Sequence, residues 1–238
     1  MGIVAVFFIK PIAQNLNFHH FADDREILSV PNFWNVTSNL PFLIIGSIGV
    51  FYTLSRKAKS VAVELRSPHF IFFLGIFFTA IGSSYYHLDP NNKTLVWDRL
   101  PMTISFMSFF AIIIGEYINI KIGNLLMWPL LGIGIISVFY WNYTEGQGQG
   151  ELRIYMLVQF LPMLLIPLIV LLFDSRSASS KHIWLMLLAY AIAKVFEATD
   201  HSIYSCGHLI SGHTIKHFFA ALAPLILIAR ILKSRHIP

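Results

Sequence analysis

Seven stretches of about 20 mainly apolar residues follow one another along this chain, and that is the length an α-helix needs to cross the ~30 Å hydrocarbon core of a bilayer. They fall near residues 36–54, 68–87, 95–118, 122–140, 153–173, 182–199 and 209–232. The expected fold is therefore an all-α integral membrane protein, a bundle of seven transmembrane helices. Residues 1–9 are also apolar but too short to span, and they lack the basic leader and small-residue cleavage site of a signal peptide. They are expected to form a short N-terminal stub.

Composition agrees with this pattern. Hydrophobic residues make up 56% of the chain and charged residues 12%, against roughly 25% charged in an average soluble domain. The surplus apolar surface has to face lipid, which excludes a soluble fold. Within 238 residues the long apolar runs leave little sequence for a second folded unit. One membrane domain, 36–232, is expected between a non-cytoplasmic segment, 1–35, and a cytoplasmic tail, 233–238. Gly146, Gln147, Gly148, Gln149 and Gly150 are expected to make a flexible connection between the fourth and fifth spans. A single cysteine, Cys206, excludes an internal disulfide. The net charge of +5 does not imply nucleic acid, because the basic residues sit mostly in short loops, where they report membrane orientation.

Those loop charges set a topology. Arg56, Lys57, Lys59, Arg66, Lys121, Arg176, Lys181, Arg230, Lys233 and Arg235 lie on one side, and Lys10, Arg25, Lys93, Arg99 and Arg153 on the other. The positive-inside rule then places the N-terminus outside and the C-terminus in the cytoplasm. Trp34, Trp97, Trp128, Trp141 and Trp184 lie near span ends and are expected as interfacial anchors.

Ionisable groups inside a span cost several kcal/mol unless paired, metal-bound or hydrated. Here they cluster. Ser83 and His87 are four apart near the end of the second span, and His213 and His217 are four apart near the start of the seventh, so each pair shares a helix face. Asp98 stands in the first turns of the third span. The loop-charge topology brings all five toward the outer leaflet. One intramembrane histidine is more often a packing residue, but three at one depth, two of them in an HxxxH spacing, point to a shared metal. Three imidazoles leave a fourth position open, as in catalytic zinc sites, and zinc lowers the pKa of a water it holds to about 7. Asp98 is then the candidate general base and acid, and Ser83 the candidate oxyanion donor or, flanked by Gly82 and Ser84, a helix-packing residue.

Other polar residues have simpler expectations. Lys194, Glu197, Asp200 and His201, at near-helical spacing, suggest a structural ion network, and Lys216 is expected to snorkel or to pair with a carboxylate. His208 is an alternative ligand whose spacing suits one metal less well. His19, His20, His69, His182 and His236 are expected to be solvated at span ends.

Three segments together resemble the alkaline ceramidases and their bacterial relatives, within a superfamily of seven-helix membrane hydrolases that includes the adiponectin-type receptors. They are Gly82-Ser83-Ser84-Tyr85-Tyr86-His87, then Val96-Trp97-Asp98-Arg99-Leu100-Pro101-Met102, then Gly212-His213-Thr214-Ile215-Lys216-His217. The segment Pro31-Asn32-Phe33-Trp34-Asn35-Val36-Thr37-Ser38-Asn39-Leu40 is similar to the approach to the ceramidase first helix. The resemblance implies a zinc-dependent hydrolase that cleaves the amide of ceramide-like lipids to a fatty acid and a sphingoid base, with zinc on His87, His213 and His217 and catalytic support from Asp98 and Ser83. It also implies a calcium site before the first helix, for which this chain offers Asp23, Asp24 and Glu26, with Asn32 where the family has a glutamate. Calcium prefers six to eight oxygen ligands with carboxylate charge; the alternative is a solvated acidic loop.

The expected partners are the membrane and a lipid substrate that enters from it. A receptor-like protein with a structural metal, a haem protein and an ion-coupled transporter using the Lys194–His201 cluster are the competing functions. Against the transporter, the sequence has neither inverted repeats nor paired Gly/Pro-broken helices.

Overall fold

In a computed structural model of the chain, which describes residues 8–55, 63–175 and 180–233, the regular structure is helical apart from one isolated bridge between Ile27 and Val30. Seven long helices occur among the described residues: α1 (Leu40–Leu54), α2 (Arg66–Leu88), α3 (Asn92–Ile113), α4 (Ile120–Gly146), α5 (Arg153–Leu172), α6 (Lys181–Ala198) and α7 (Gly212–Lys233). Six are long and apolar enough to cross a membrane, α1 counting together with the one-turn helix Phe33–Thr37 before it. The exception to the expected seven is α6, an 18-residue helix that carries Lys181, Lys194 and Glu197. Its apolar surface is diluted by those charges, and Lys194 and Glu197 offset each other by forming an ion pair. Most of the expected N-terminal stub (residues 1–7) lies outside the described residues, as do Arg56, Lys57, Lys59, Arg176 and the tail from residue 234, with Arg235 and His236.

The helices begin where side chains can take up free backbone N–H groups. Asn91 caps α3, accepting from the amides of Lys93 and Thr94 at 2.9 and 3.1 Å, while Thr94 Oγ1 accepts from the Asn91 amide at 3.2 Å, a reciprocal capping box. Asn119 caps α4 through the Lys121 amide at 2.9 Å. The third apolar run does not continue as α-helix to residue 118; α3 ends at Ile113 and passes into a π-helical turn, Ile114–Ile118, whose Glu116 pairs with Arg230 of α7 at 3.0 Å.

The glycine-rich connection is an ordered turn. Gly148 has φ +72°, its amide reaches Glu145 O at 3.0 Å, and the Gln149 amide reaches Thr144 O at 3.0 Å, which is the Schellman pattern closing α4. At Gly150, φ +53°, a Cβ would lie 2.5 Å from Ala13 Cα. The turn is packed against the N-terminal segment and needs glycine there.

Helix faces carry exposed apolar side chains such as Leu125, Ile136, Leu164, Leu171 and Phe51, which fits a multi-pass membrane protein. Inside, one large cluster joins Phe42, Phe73, Ile112, Ile166, Ile183 and Leu227 from α1, α2, α3, α5, α6 and α7. A second, around Tyr86, Leu95, Trp141 and Tyr155, lies where α2, α3, α4 and α5 meet. Trp141 is thus no interfacial anchor: it is fully buried, with its ring 4.2 Å from the Arg99 guanidinium. His69 and His182 are likewise buried rather than solvated, and His69 Nδ1 donates to Leu65 O at 2.8 Å.

The N-terminal segment is tied to the same end of the bundle. Leu152 N donates to Ile12 O at 2.9 Å, Arg99 donates to Gln14 Oε1 at 2.6 Å, and Ala22 N donates to Asp200 Oδ2 at 2.9 Å. His19 sits between Asn92 Oδ1, to which its Nε2 donates at 2.8 Å, and the Tyr86 hydroxyl, which donates to Nδ1 at 2.9 Å. Burial holds its pKa below the ordinary histidine value.

Candidate metal centre

Three helices deliver the polar residues selected from the sequence, and a single glycine lets two of them approach. At Gly82 a Cβ would lie 1.9 Å from Trp97 O, so no larger residue permits this crossing of α2 and α3. The crossing brings Ser83 of α2 and Asp98 of α3 to the same cavity. Gly82 thus carries the packing role weighed for its neighbour, and Ser83 lines the cavity at the site.

His87 from the last turn of α2 and His213 and His217 from the first turns of α7 converge. They are 1%, 5% and 4% exposed, and one ligand nitrogen from each lies within 4.8 Å of the others. Ring centroids are 4.9 Å apart for His87 and His213, 5.2 Å for His87 and His217, and 5.0 Å for His213 and His217. Among the described residues this is the one group of three or more His, Cys, Asp or Glu side chains arranged to hold a metal ion.

The residues fit a metal in finer detail. His87 Nε2 and His213 Nε2 are 3.3 Å apart. Two nitrogens bound tetrahedrally to one zinc at about 2.0–2.1 Å are separated by about 3.3–3.4 Å, the same spacing. Ser38 Oγ donates to Asn35 O at 3.2 Å and so accepts from His217 Nδ1 at 2.6 Å. With the imidazole proton on Nδ1, that bond orients the ring and leaves the Nε2 lone pair for a metal. His87 Nδ1 is buried without a hydrogen-bond partner. With Nε2 turned to the cluster, Nδ1 has no protein group to orient the ring as Ser38 does for His217.

Further bonds hold the ligands in register. Asp200 Oδ1 accepts from the His213 amide at 2.7 Å and Ser211 Oγ from the Thr214 amide at 3.1 Å, so α7 starts on two side-chain caps. Asp200 therefore stands apart from the ion network expected of it. Lys194 and Lys216 instead share Glu197, the second at 3.0 Å, while exposed His201 reaches His20 O at 3.3 Å. Thr214 donates to Asn35 Oδ1 at 2.9 Å, joining α7 to the turn before α1. Phe21 covers the histidines, its ring 4.7 Å from His87 and 4.5 Å from His213.

The calcium set is not brought together. Asp23 is taken by Arg25 in a two-point pair at 2.8 and 2.7 Å, Asp24 and Glu26 face outward, and the Asn32 amide donates to His87 O at 2.9 Å. Asn32 braces the metal centre instead. His208, exposed and edge-to-face with Tyr204, is not part of the cluster.

Ser38, Asn35 and Phe21 were not selected from the sequence as site residues. The one signal for Ser38 and Asn35 was several polar residues at the approach to an apolar helix, and spacing does not say which partner each meets. Ser38→Ala is expected to weaken metal affinity about 10- to 100-fold, as loss of a ligand-orienting bond does, measured by competition with a chelator. Unchanged affinity would remove Ser38 from the centre.

A cavity of about 420 Å³ opens beside the cluster. Asp98, Ser83, His213 and His217 line its polar part, and Phe72, Ile76, Phe109, Met186 and Pro224 its apolar shaft. Compared with known proteins, the chain matches no family model and no curated sequence.

Proposed function

We propose that the protein is a zinc-dependent hydrolase of lipid amides, of the ceramidase kind. The observation that carries this is the conjunction of a buried three-histidine cluster with a carboxylate and a hydroxyl in a cavity that extends into an apolar shaft. Its volume lies in the range of ~300–1,000 Å³ typical of small-molecule sites. Zinc, when bound, supplies Lewis acidity toward the amide carbonyl and makes water nucleophilic at neutral pH.

The protein's own groups do the rest. The apolar shaft takes an acyl chain and excludes bulk water, and Phe21 packs over His87 and His213. The Asp98 carboxylate, which lines the cavity together with Ser83, accepts a proton from the attacking water and returns it to the amine nitrogen as the C–N bond breaks. The products are a fatty acid and a free amine. Ser38 and Asn32 act from behind, one on the His217 ring and one on the backbone of His87.

The membrane frame completes the proposal. With α6 as a seventh crossing, the termini lie on opposite sides, N-terminus outside and C-terminus in the cytoplasm, and the histidines lie toward the outer leaflet. The Lys194–Glu197–Lys216 network supports burial of α6 against α7, because paired charges are far less costly in a membrane than isolated ones.

Purified zinc-loaded protein, incubated with ceramide and other N-acyl lipids, is expected to release free fatty acid, and chelation of the metal to stop the release. Folded, zinc-loaded protein that frees no fatty acid from any N-acyl lipid would overturn the hydrolase and favour a receptor with a structural metal.

A further inference from the structure

The cavity has a second polar feature that the proposed chemistry leaves unused. Arg99 follows Asp98 on α3, is 6% exposed and lines the same cavity. Its guanidinium lies 4.2 Å from the Trp141 ring and 4.5 Å from the Tyr155 ring, with Gln14 Oε1 at 2.6 Å from one nitrogen. Its other terminal nitrogen, Nη1, has no hydrogen-bond partner. Among the described residues no carboxylate lies within ion-pair distance of it.

The other charges near this wall are already committed. Lys194 and Lys216 share Glu197, Asp98 makes no ion pair with Arg99, and Glu145, which does not line the cavity, accepts from Trp141 Nε1 at 3.1 Å and from the Gln14 backbone amide at 3.2 Å. Arg99 is thus a buried, permanently charged cation held by neutral groups. Aromatic faces offset part of its desolvation but bring no counter-charge. A guanidinium so placed is suited to a carboxylate or phosphate, which it can grip with two parallel hydrogen bonds.

Its position says which part of a substrate would meet it. Arg99, Gln14, Leu152 and Tyr155 line a wall built from α3, α5 and the N-terminal segment, whereas the shaft of Phe72, Phe109 and Met186 enters the large apolar cluster. With the acyl chain in the shaft, the amine side of the amide is left to face Arg99. We propose that the lipid amide taken by this protein carries an anionic group, a carboxylate or a phosphate, on its amine side, and that Arg99 binds it. The proposal rests on the hydrolase reading for where the amide lies.

The test is binding to the full-length, zinc-loaded protein of ketone isosteres in which CH2 replaces the scissile N–H, so that nothing can be cleaved. All carry one tetradecanoyl chain and end in a carboxylate, a phosphate monoester or a hydroxyl. Titration calorimetry is expected to show the better anion binding at least about tenfold more tightly than the alcohol in the wild type. That ratio should fall to near one in Arg99→Gln and be partly kept in Arg99→Lys. Which anion binds better identifies the group. Equal binding of all three by the wild type, needing no variant, overturns the proposal, as does a preference that survives Arg99→Gln. Tetradecanoate bound with the same Arg99 dependence would also overturn it, by assigning Arg99 to the product acid. Fatty-acid release is read separately: anion preference without any release would sink the hydrolase and leave Arg99 as an anion site.

Discussion

His217→Ala is expected to empty the metal centre. Wild-type protein purified in detergent should carry close to one zinc per chain by elemental mass spectrometry, and the variant less than about a tenth of that. A full structural set of zinc ligands contributes about 10–16 kcal/mol, so one of four ligands is worth roughly 3–4 kcal/mol, or two to three orders of magnitude in affinity. The variant also removes the group that holds Ser38 Oγ. The bundle should persist, because its large apolar cluster does not include the histidines, and an unchanged helical circular dichroism spectrum would separate metal loss from unfolding. Equal zinc in the two proteins would dissolve the three-histidine centre.

Asp98→Asn should do the converse, keeping the metal and losing the rate. Asparagine has nearly the same shape, and position 98 is not among the three ligand positions. What it cannot do is accept a proton. Removing a general base costs about 10²–10⁴ in rate, so fatty-acid release should drop by that factor with zinc content near the wild-type value. Since the loss falls on a transition-state interaction, kcat should fall with kcat/KM. An active Asp98→Asn protein would take the proton-transfer role from this carboxylate.

These two variants concern residues that were legible without a structure, because a membrane makes polar residues conspicuous. His87, His213, His217, Asp98 and Ser83 stood out against apolar runs, and helical spacing with loop charge brought them to one depth. The structure brings the three histidines within reach of one ion. Helix ends were less readable: the third run leaves α-helix at Ile113 and the fourth runs on to Gly146, and the caps Asn91 and Asn119 emerge only from the structure.

Residues acting through long-range contacts were not legible. Trp141 has the composition of an anchor and the position of a span end, yet it is buried over Arg99, a partner 42 residues away. Asp200 looks like a member of a charge run, yet its carboxylate ties the start of α7 to the N-terminal segment at Ala22. The acidic residues before the first helix read as one group, but Arg25 occupies Asp23, and the others turn outward. Charge and spacing determine which groups can interact; only the packed chain decides which do.

By itself the sequence determined that the chain is helical, that its long runs suit a bilayer, and which polar residues have to find partners there, because the cost of burying charge and unpaired backbone depends on residue type alone. Tertiary structure decided how close α2 and α3 come at Gly82, that Ser38 meets Nδ1 of His217, and that Arg99 is left facing the cavity with no carboxylate in ion-pair contact. Those outcomes depend on distances of a few tenths of an ångström between segments far apart in the chain, and no local pattern encodes them.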